Sequence, residues 1–316
     1  MNVQEIFDLG LKLAKKSDLR GEKVLANKLK RLKEKYQKLT KDEKEEFDLE
    51  TLTNPYADSR ILVAGPKNKP VKKVLAGIDI DLGELLIARE LGADLVISHH
   101  PMGEALAGLD EVMHMQIELL ALVGIPINVA HNLIKIRASE ISRSVGGANH
   151  FRVVDAAKML NIPLICTHTF TDNLVTKYLD GLIRKNEKKL EYLSDVMKLL
   201  KSIPEYKIAS KQKAGPKLFA GSPDDYCGRI VITEMTGGTT GSKEIYEKMS
   251  QAGIGTTIGM HMHELWKNEA EKNNVNVVIA GHMSSDSIGM NFMLDELEKK
   301  SIKIIPCSGL IRFSRL

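Results

Sequence analysis

The sequence predicts an α/β protein, built from two runs of alternating strands and helices with mostly parallel sheets behind an N-terminal helical arm. Three observations carry this. Short apolar, β-branched runs alternate with amphipathic stretches from Lys73 onward. A Lys-, Ser- and Ala-rich interval, Pro204 to Pro216 with Gly215-Pro216 at its end, separates the two runs as a linker or surface hairpin. Before them, Val24, Leu25, Leu29, Leu32, Tyr36 and Leu39 recur at helical spacing with charges between. The division expected is therefore an arm over 1–55, a first α/β half over 56–203 and a second over 204–316.

Each element has a local reason. TKDE at Thr40 reads as a cap that opens a short helix. VLAGIDI and DLVIS read as strands on either side of the helix LGELLIARELGA, with Gly92 near its end. MHMQIELLALVG reads as a helix and PINVA as a strand. Ser139 to Leu160 is mostly helical, interrupted at Gly146-Gly147. PLICT is a strand, and Val175 to Leu200 one long helix. In the second run RIVITEM, VNVVIAG and SIKIIP are strands. KEIYEKMSQAG, HMHELWKNEAEK and SIGMNFMLDELEKK are helices, and TGGTTGS is a Gly-rich turn.

Length and composition exclude several classes. With 316 residues, 43% hydrophobic and 27% charged, the chain has material for a large core and is neither disordered nor a disulfide-stapled miniprotein. No apolar run reaches the roughly 18–20 residues a membrane span needs, and MNVQEIFDLG lacks a signal pattern. Cys166, Cys227 and Cys307 are an odd, scattered set, which suits reduced thiols in a cytoplasm. The net charge of +4 is mild. Its basic stretches, Lys12 to Lys41 and Arg184 to Lys217, hold only the scattered aromatics Tyr36, Tyr192 and Tyr206 and match no known nucleic-acid module, so nucleic acid is not an expected partner. The arm packs either on its own body or on another subunit.

The chemistry gathers at strand ends. Ser98-His99-His100-Pro101 follows DLVIS, and ligands of open α/β sheets bind just outside the carboxyl ends of strands. Proline takes the chain out of the pleat, so both imidazoles can reach one cleft. His168-Thr169-Phe170-Thr171-Asp172 follows PLICT, and His282-Met283-Ser284-Ser285-Asp286 follows VNVVIAG. In each, a His and an Asp four residues apart share one side of a helix start. Any one of these reads equally as a satisfied structural residue, but three together favour a metal site. His131 beside Asn132 competes with His168. His261 and His263 line a pocket or transfer protons. His114 and His150 read as structural. The Gly-rich turn Thr236 to Ser242 is either an anion cradle or a tight turn, and is not a Walker loop.

Residues 77–103, GIDIDLGELLIARELGADLVISHHPMG, closely resemble one family, the Nif-three-like dinuclear metal-centre proteins, also labelled GTP cyclohydrolase I type two homologues. The phrase Gly92-Ala93-Asp94-Leu95 followed by His99-His100-Pro101 carries the resemblance. Gly281-His282 through Asp286 stands where that family closes with Gly-His-aromatic-x-x-Glu, and the Gly-rich turn with His261 and His263 matches the segment before it. The likeness runs over 73–316, strongest near both ends.

The resemblance implies two similar α/β halves facing a shared metal cleft. It implies metal ligands at His99, His100, Asp172, His282 and Asp286. Asp286 replaces a Glu and is one methylene shorter. Asp172 lies farther from His100 than the family spacing, but Lys135, four residues after His131, cannot replace a carboxylate, so Asp172 is chosen. The implied cofactors are two divalent metal ions, Zn, Mn, Fe or Ni, with His168 and His263 as acid–base groups. Also implied are hydrolase chemistry of the cyclohydrolase, amidohydrolase or phosphoesterase type on an unknown small molecule, and a ring-like homo-oligomer such as a hexamer. The other reading is a non-catalytic metal-binding protein with a protein partner, docking through the helical arm.

Overall fold

Two helices that each begin with a histidine, lying between two sheets, position everything else. The computed structural model describes all 316 residues. The arm comprises α1 (Val3–Ser17), α2 (Glu22–Gln37) and α3 (Lys41–Glu45). Capping boxes at Asn2 with Glu5 and at Thr40 with Glu43 start α1 and α3. The first α/β run holds β1 (Ile61–Val63), β2 (Lys73–Gly77), α4 (Leu82–Glu90), β3 (Leu95–Ser98), α5 (Glu104–Ala107), α6 (Leu109–Met113), α7 (Met115–Leu122), α8 (Ile127–Val145), α9 (Arg152–Met159), β4 (Leu164–Cys166) and α10 (His168–Asn186). Then follow α11 (Leu193–Lys201), α12 (Pro204–Lys211), β5 (Lys217–Ala220), β6 (Arg229–Ile232), α13 (Ile245–Gln251), β7 (Ile254–Gly259), α14 (Glu264–Lys272), β8 (Asn276–Ile279), α15 (His282–Glu298) and β9 (Lys303–Cys307).

The first sheet runs β1-β4-β3-β2-β9 and the second β5-β8-β7-β6. In each, the first strand is antiparallel to its neighbour and the remaining pairs are parallel. Buried strands such as Leu95–Ser98 are apolar on both faces, as a parallel sheet covered on both sides requires. One face of the first sheet packs on α1 and α15, through Ile6, Met290, Met293 and Leu294. Its other face packs on α4 and α9. The second sheet is covered by α10, α11 and α12 on one side and by α7, α8, α13 and α14 on the other.

Helix α15 contributes to cores of both sheets, so it is buried almost all round rather than along one stripe. Where α10 and α15 cross, a Cβ at Gly289 would lie 2.2 Å from the Thr171 carbonyl oxygen, so only glycine permits the contact. The arm packs on its own body through α1, while α2 buries only Leu25. No helix is long and apolar enough to cross a membrane.

Four expectations are corrected. PINVA is not a strand but the start of α8. Pro126 precedes its first turn, and Ala130, Ile134 and Ala138 bury a helical stripe. The expected long helix over Val175 to Leu200 breaks after Asn186 into α10 and α11. The supposed linker after Pro204 is α12, with proline at its first position and Tyr206 fully buried. The division at residue 204 follows the chain but not the sheets, because β9 returns to pair with β2. The short edge strands β1 and β5 were not expected; the sequence carries little signal in three or four residues.

Candidate metal centre

The three strand-end motifs converge. After β3, the His99 and His100 amides donate to the carbonyls of Gly77 and Ile78, so the chain stays against the end of β2 instead of continuing the pleat. Both rings therefore face one cleft, with centroids 5.2 Å apart. His168 opens α10 after β4 with Asp172 one turn further on, and His282 opens α15 after β8 with Asp286 one turn further on. His99, Asp172 and Asp286 are fully buried.

Second partners fix the rings. Thr171 Oγ1 donates to the Thr167 carbonyl at 3.0 Å and so accepts from His99 Nδ1 at 2.9 Å. His100 Nδ1 donates to Asp79 at 2.7 Å, and His168 Nδ1 donates to Asp58 at 2.7 Å. Asp58 also accepts from Thr169 Oγ1 at 2.7 Å. With a proton committed at Nδ1, each of these imidazoles turns Nε2 toward the carboxylates, the usual arrangement of metal-binding histidines.

The inward atoms are separated by distances too long for hydrogen bonds. His99 Nε2 lies 3.5 Å from Asp172 Oδ1 and 3.4 Å from Asp286 Oδ1. Asp286 Oδ2 lies 3.5 Å from His100 Nε2 and 3.7 Å from His282 Nε2. His168 Nε2 is 3.9 Å from Asp172 Oδ2. Ligands about 2.0–2.2 Å from a tetrahedral ion lie about 3.4 Å from one another, so these gaps match edges of a coordination shell. His99 Nε2 and all four carboxylate oxygens of Asp172 and Asp286 are buried without a hydrogen-bond partner. Such orphaned atoms are costly unless a cation serves them. Two triplets have ligand atoms close enough to share an ion, His99–His168–Asp172 and His99–His100–Asp286, with His99 common to both.

The electrostatics agree. Burial, then repulsion from Asp286 and Asp58, push the Asp172 carboxyl well up. Burial opposes ionisation of Asp286 too, but the surrounding His99, His100 and His282 outweigh it and hold its pKa down. Burial drops His99 to about 4 despite Asp286. Burial also disfavours charge on His100, yet Asp286 and Asp79 lift it to about 9. Two carboxylates that cannot comfortably ionise together in a buried site are what divalent cations stabilise.

Not every sequence candidate joins. His263 is exposed and packs on Trp266, with centroids 5.5 Å apart. His261 instead lies beside His282 at 4.9 Å and meets Thr240 Oγ1 at 2.9 Å. His131 is exposed on α8, away from a strand end. In the Gly-rich turn, Gln116 donates to the carbonyls of Gly237 and Thr239, and Gly237 and Gly238 have positive φ, so the segment is a tight turn tied to α7. Sequence reasoning missed the orienting residues Asp58, Asp79 and Thr171. Only Asp79, an acid at the end of VLAGIDI, carried a positional signal.

The fold and site define an α/β protein with a buried His/Asp cluster able to hold metal. No family profile matches the sequence, and no curated protein matches it. Among solved structures, a NIF3 superfamily protein from Sphaerobacter thermophilus is 26% identical with a TM-score of 0.71, over 80% of this chain and 92% of that one. HcgD from Methanocaldococcus jannaschii is 15% identical at a TM-score of 0.49, over 80% of this chain and 93% of that one. TTHA1606 from Thermus thermophilus is 16% identical at 0.47, over 85% and 95%. The first match and the resemblance read from the sequence agree: this chain is NIF3-like.

Proposed function

We propose that the cluster binds two divalent cations through His99, His100, Asp172, His282 and Asp286, and that the protein is a metal-dependent hydrolase. The observation that supports this best is the set of five buried, partnerless ligand atoms on His99, Asp172 and Asp286. Asp286 directs one oxygen toward His99 and the other toward His100 and His282, so each oxygen would be free to help hold a cation. When bound, a pair of divalent ions supplies Lewis acidity and a water acidified toward neutral pH, chemistry suited to cyclic C–N, amide or phosphoester bonds.

The chain's own residues supply the rest. Asp58 fixes the tautomer of His168, which leaves Nε2 as the atom that takes a proton and returns it to a leaving group. His261 takes the second flanking place first given to His263. The mixed N/O donor set suits Zn, Mn, Fe or Ni. Cys166 is turned away from it, with Sγ donating to the carbonyls of Asp58 and His99. Assembly into a ring of identical subunits belongs to the same reading and rests on the family resemblance.

Elemental analysis of untagged protein tests the proposal. Two ions per chain are expected in wild type, with loss in both His100→Ala and Asp286→Ala. Metal-loaded wild type is then expected to cleave members of a panel of phosphodiesters and cyclic amides. No bound metal after incubation with Zn, Mn, Fe and Ni salts would overturn the reading. Two bound ions without turnover would leave a metal-binding protein and remove the hydrolase.

A further inference from the structure

The two sheets share an order, an antiparallel edge strand followed by three parallel strands. In the first sheet a fifth strand, β9, then lies parallel to β2. In the second sheet the corresponding place beside β6 has no strand. A cavity of about 490 Å³ occupies that side of β6 and touches every residue from Gly228 to Thr236. One wall is α7, with Leu119 and Leu120, and Val123 just after it; the other is α10, with the buried Thr176 and Ile183 and the more exposed Asp180 and Arg184. The cavity thus has the features of a strand position inside an α/β sheet, a free strand edge between helices on both faces.

Backbone direction fits. Thr233 donates its N–H to Ile258 of β7, so alternation along the strand turns the N–H and C=O of Ile230 and Ile232 outward. Thr176 gives an independent sign. It is 3% exposed, lines the cavity, and its hydroxyl has no partner. A buried hydroxyl without a partner, facing a cavity, calls for a polar group opposite it.

We propose that this trough is a peptide-binding site in which an extended segment of a partner protein adds to the second sheet beside β6. The segment runs alongside the four residues of β6 and pairs with Ile230 and Ile232. Because α7 and α10 flank it, both of its faces are covered: its side chains toward α7 are apolar and β-branched, like those of the buried parallel strands of this protein, and polar side chains are accommodated toward Asp180, Arg184 and Glu187 on the α10 side. The same walls argue against an edge strand of a second folded copy. Such a strand carries its own helices on both faces, and α7 and α10 already hold that space. The proposal is independent of the metal reading.

A phage library of random seven-residue peptides selected on the full-length protein provides the probe, with counter-selection on Ile232→Pro. Proline is tolerated there because the lost N–H faces outward from an edge strand. Recovered peptides are expected to be rich in Val, Ile, Thr and aromatics. A synthetic winner is expected to bind wild type and to weaken at least about tenfold on Ile232→Pro, on Val123→Trp, and when its own alternate amides are N-methylated, since main-chain hydrogen bonds carry this mode of recognition. It is also expected to slow hydrogen exchange of the Ile230 and Ile232 amides. Val123→Trp leaves β6 itself unchanged and guards against misfolding of the proline variant. The proposal is overturned by no enrichment, by winners that bind both variants or the N-methylated peptide equally well, or by amide protection that grows with protein concentration alone, which would mean self-association.

Discussion

His168 shows how much of this site depends on a residue behind the ring that faces the cleft. Its Nδ1 is held by Asp58, which is fully buried and also bonded by Thr169. Asp58→Asn removes the anion while leaving an amide that can face either way. The expected result is a modest fall in metal affinity and a larger fall in turnover, because His168 loses its fixed tautomer. Asp79→Asn acts on His100, a direct ligand candidate, and is expected to weaken metal binding about 10–100-fold, the usual effect of removing such an orienting partner. Titration calorimetry with Zn and Mn checks both; equal affinity in Asp79→Asn and wild type would remove Asp79 from the site.

A second residue gives a pH prediction away from the metal. Burial pushes the Glu234 carboxyl up to about 7, against the pull of the Gly241 amide, Arg137 and Tyr246. Its folded pKa therefore exceeds the unfolded value, so the native state binds the extra proton. This contribution to stability is present below about pH 4.5 and is lost as pH rises through about 7. Urea unfolding at pH 5 and pH 8 should show wild type losing more stability over that interval than Glu234→Gln. An equal loss in both proteins would mean that Glu234 does not carry the proton.

Among the elements, the crossing of α10 and α15 couples packing to the site, because each helix carries one of its carboxylates, Asp172 or Asp286, one turn after its start. Gly289→Ala brings two opposed effects. Alanine gains about 1 kcal/mol of helix propensity over glycine. Its methyl, however, would sit 2.2 Å from a backbone carbonyl, which cannot rotate away as a side chain can. Overpacking of this kind costs about 1–3 kcal/mol, so net destabilisation is expected. The displaced helices should also part Asp172 from Asp286 and weaken metal binding. Thermal melts with and without metal read both, and a variant at least as stable as wild type with unchanged metal binding would rule out the coupling.

The same elements show what the sequence could reveal. That the strand ends carrying His99, His100, Asp172, His282 and Asp286 meet in one cleft was legible because strand, tight exit and helix start are local events, each written in a few consecutive residues. The crossing at Gly289 was not legible, since a glycine inside a helix pattern does not say which carbonyl approaches it. Asp58 was hidden because its partner lies 110 residues away. The apolar run PINVA failed for a different reason: so short a run fits strand and helix equally, and only the stripe through Ile134 and Ala138 decides.

Across the whole molecule, the two α/β runs recognised in the sequence are not independent bodies. The last strand, β9, completes the first sheet beside β2, and α15 packs against both sheets. The C-terminal tail tightens this closure. Arg312 Nη2 donates to Asp295 at 2.5 Å and to Glu298 at 2.6 Å on α15, and Arg315 pairs in bidentate fashion with the buried Glu205 of α12 at 2.7 and 2.8 Å. A fragment of residues 1–203 would lack β9 and the α15 side of its core, exposing Ile6, Val74 and Ile97. A fragment of 204–316 would lack the α10 layer that covers its sheet. Neither is expected to unfold cooperatively alone, whereas the two co-expressed are expected to associate and to regain metal binding, since His99, His100 and Asp172 lie on one piece and His282 and Asp286 on the other. Intact protein is expected to give one calorimetric transition. A fragment of 1–203 with a cooperative transition of its own would show that the sheets fold separately and that the metal centre forms only at a later docking step.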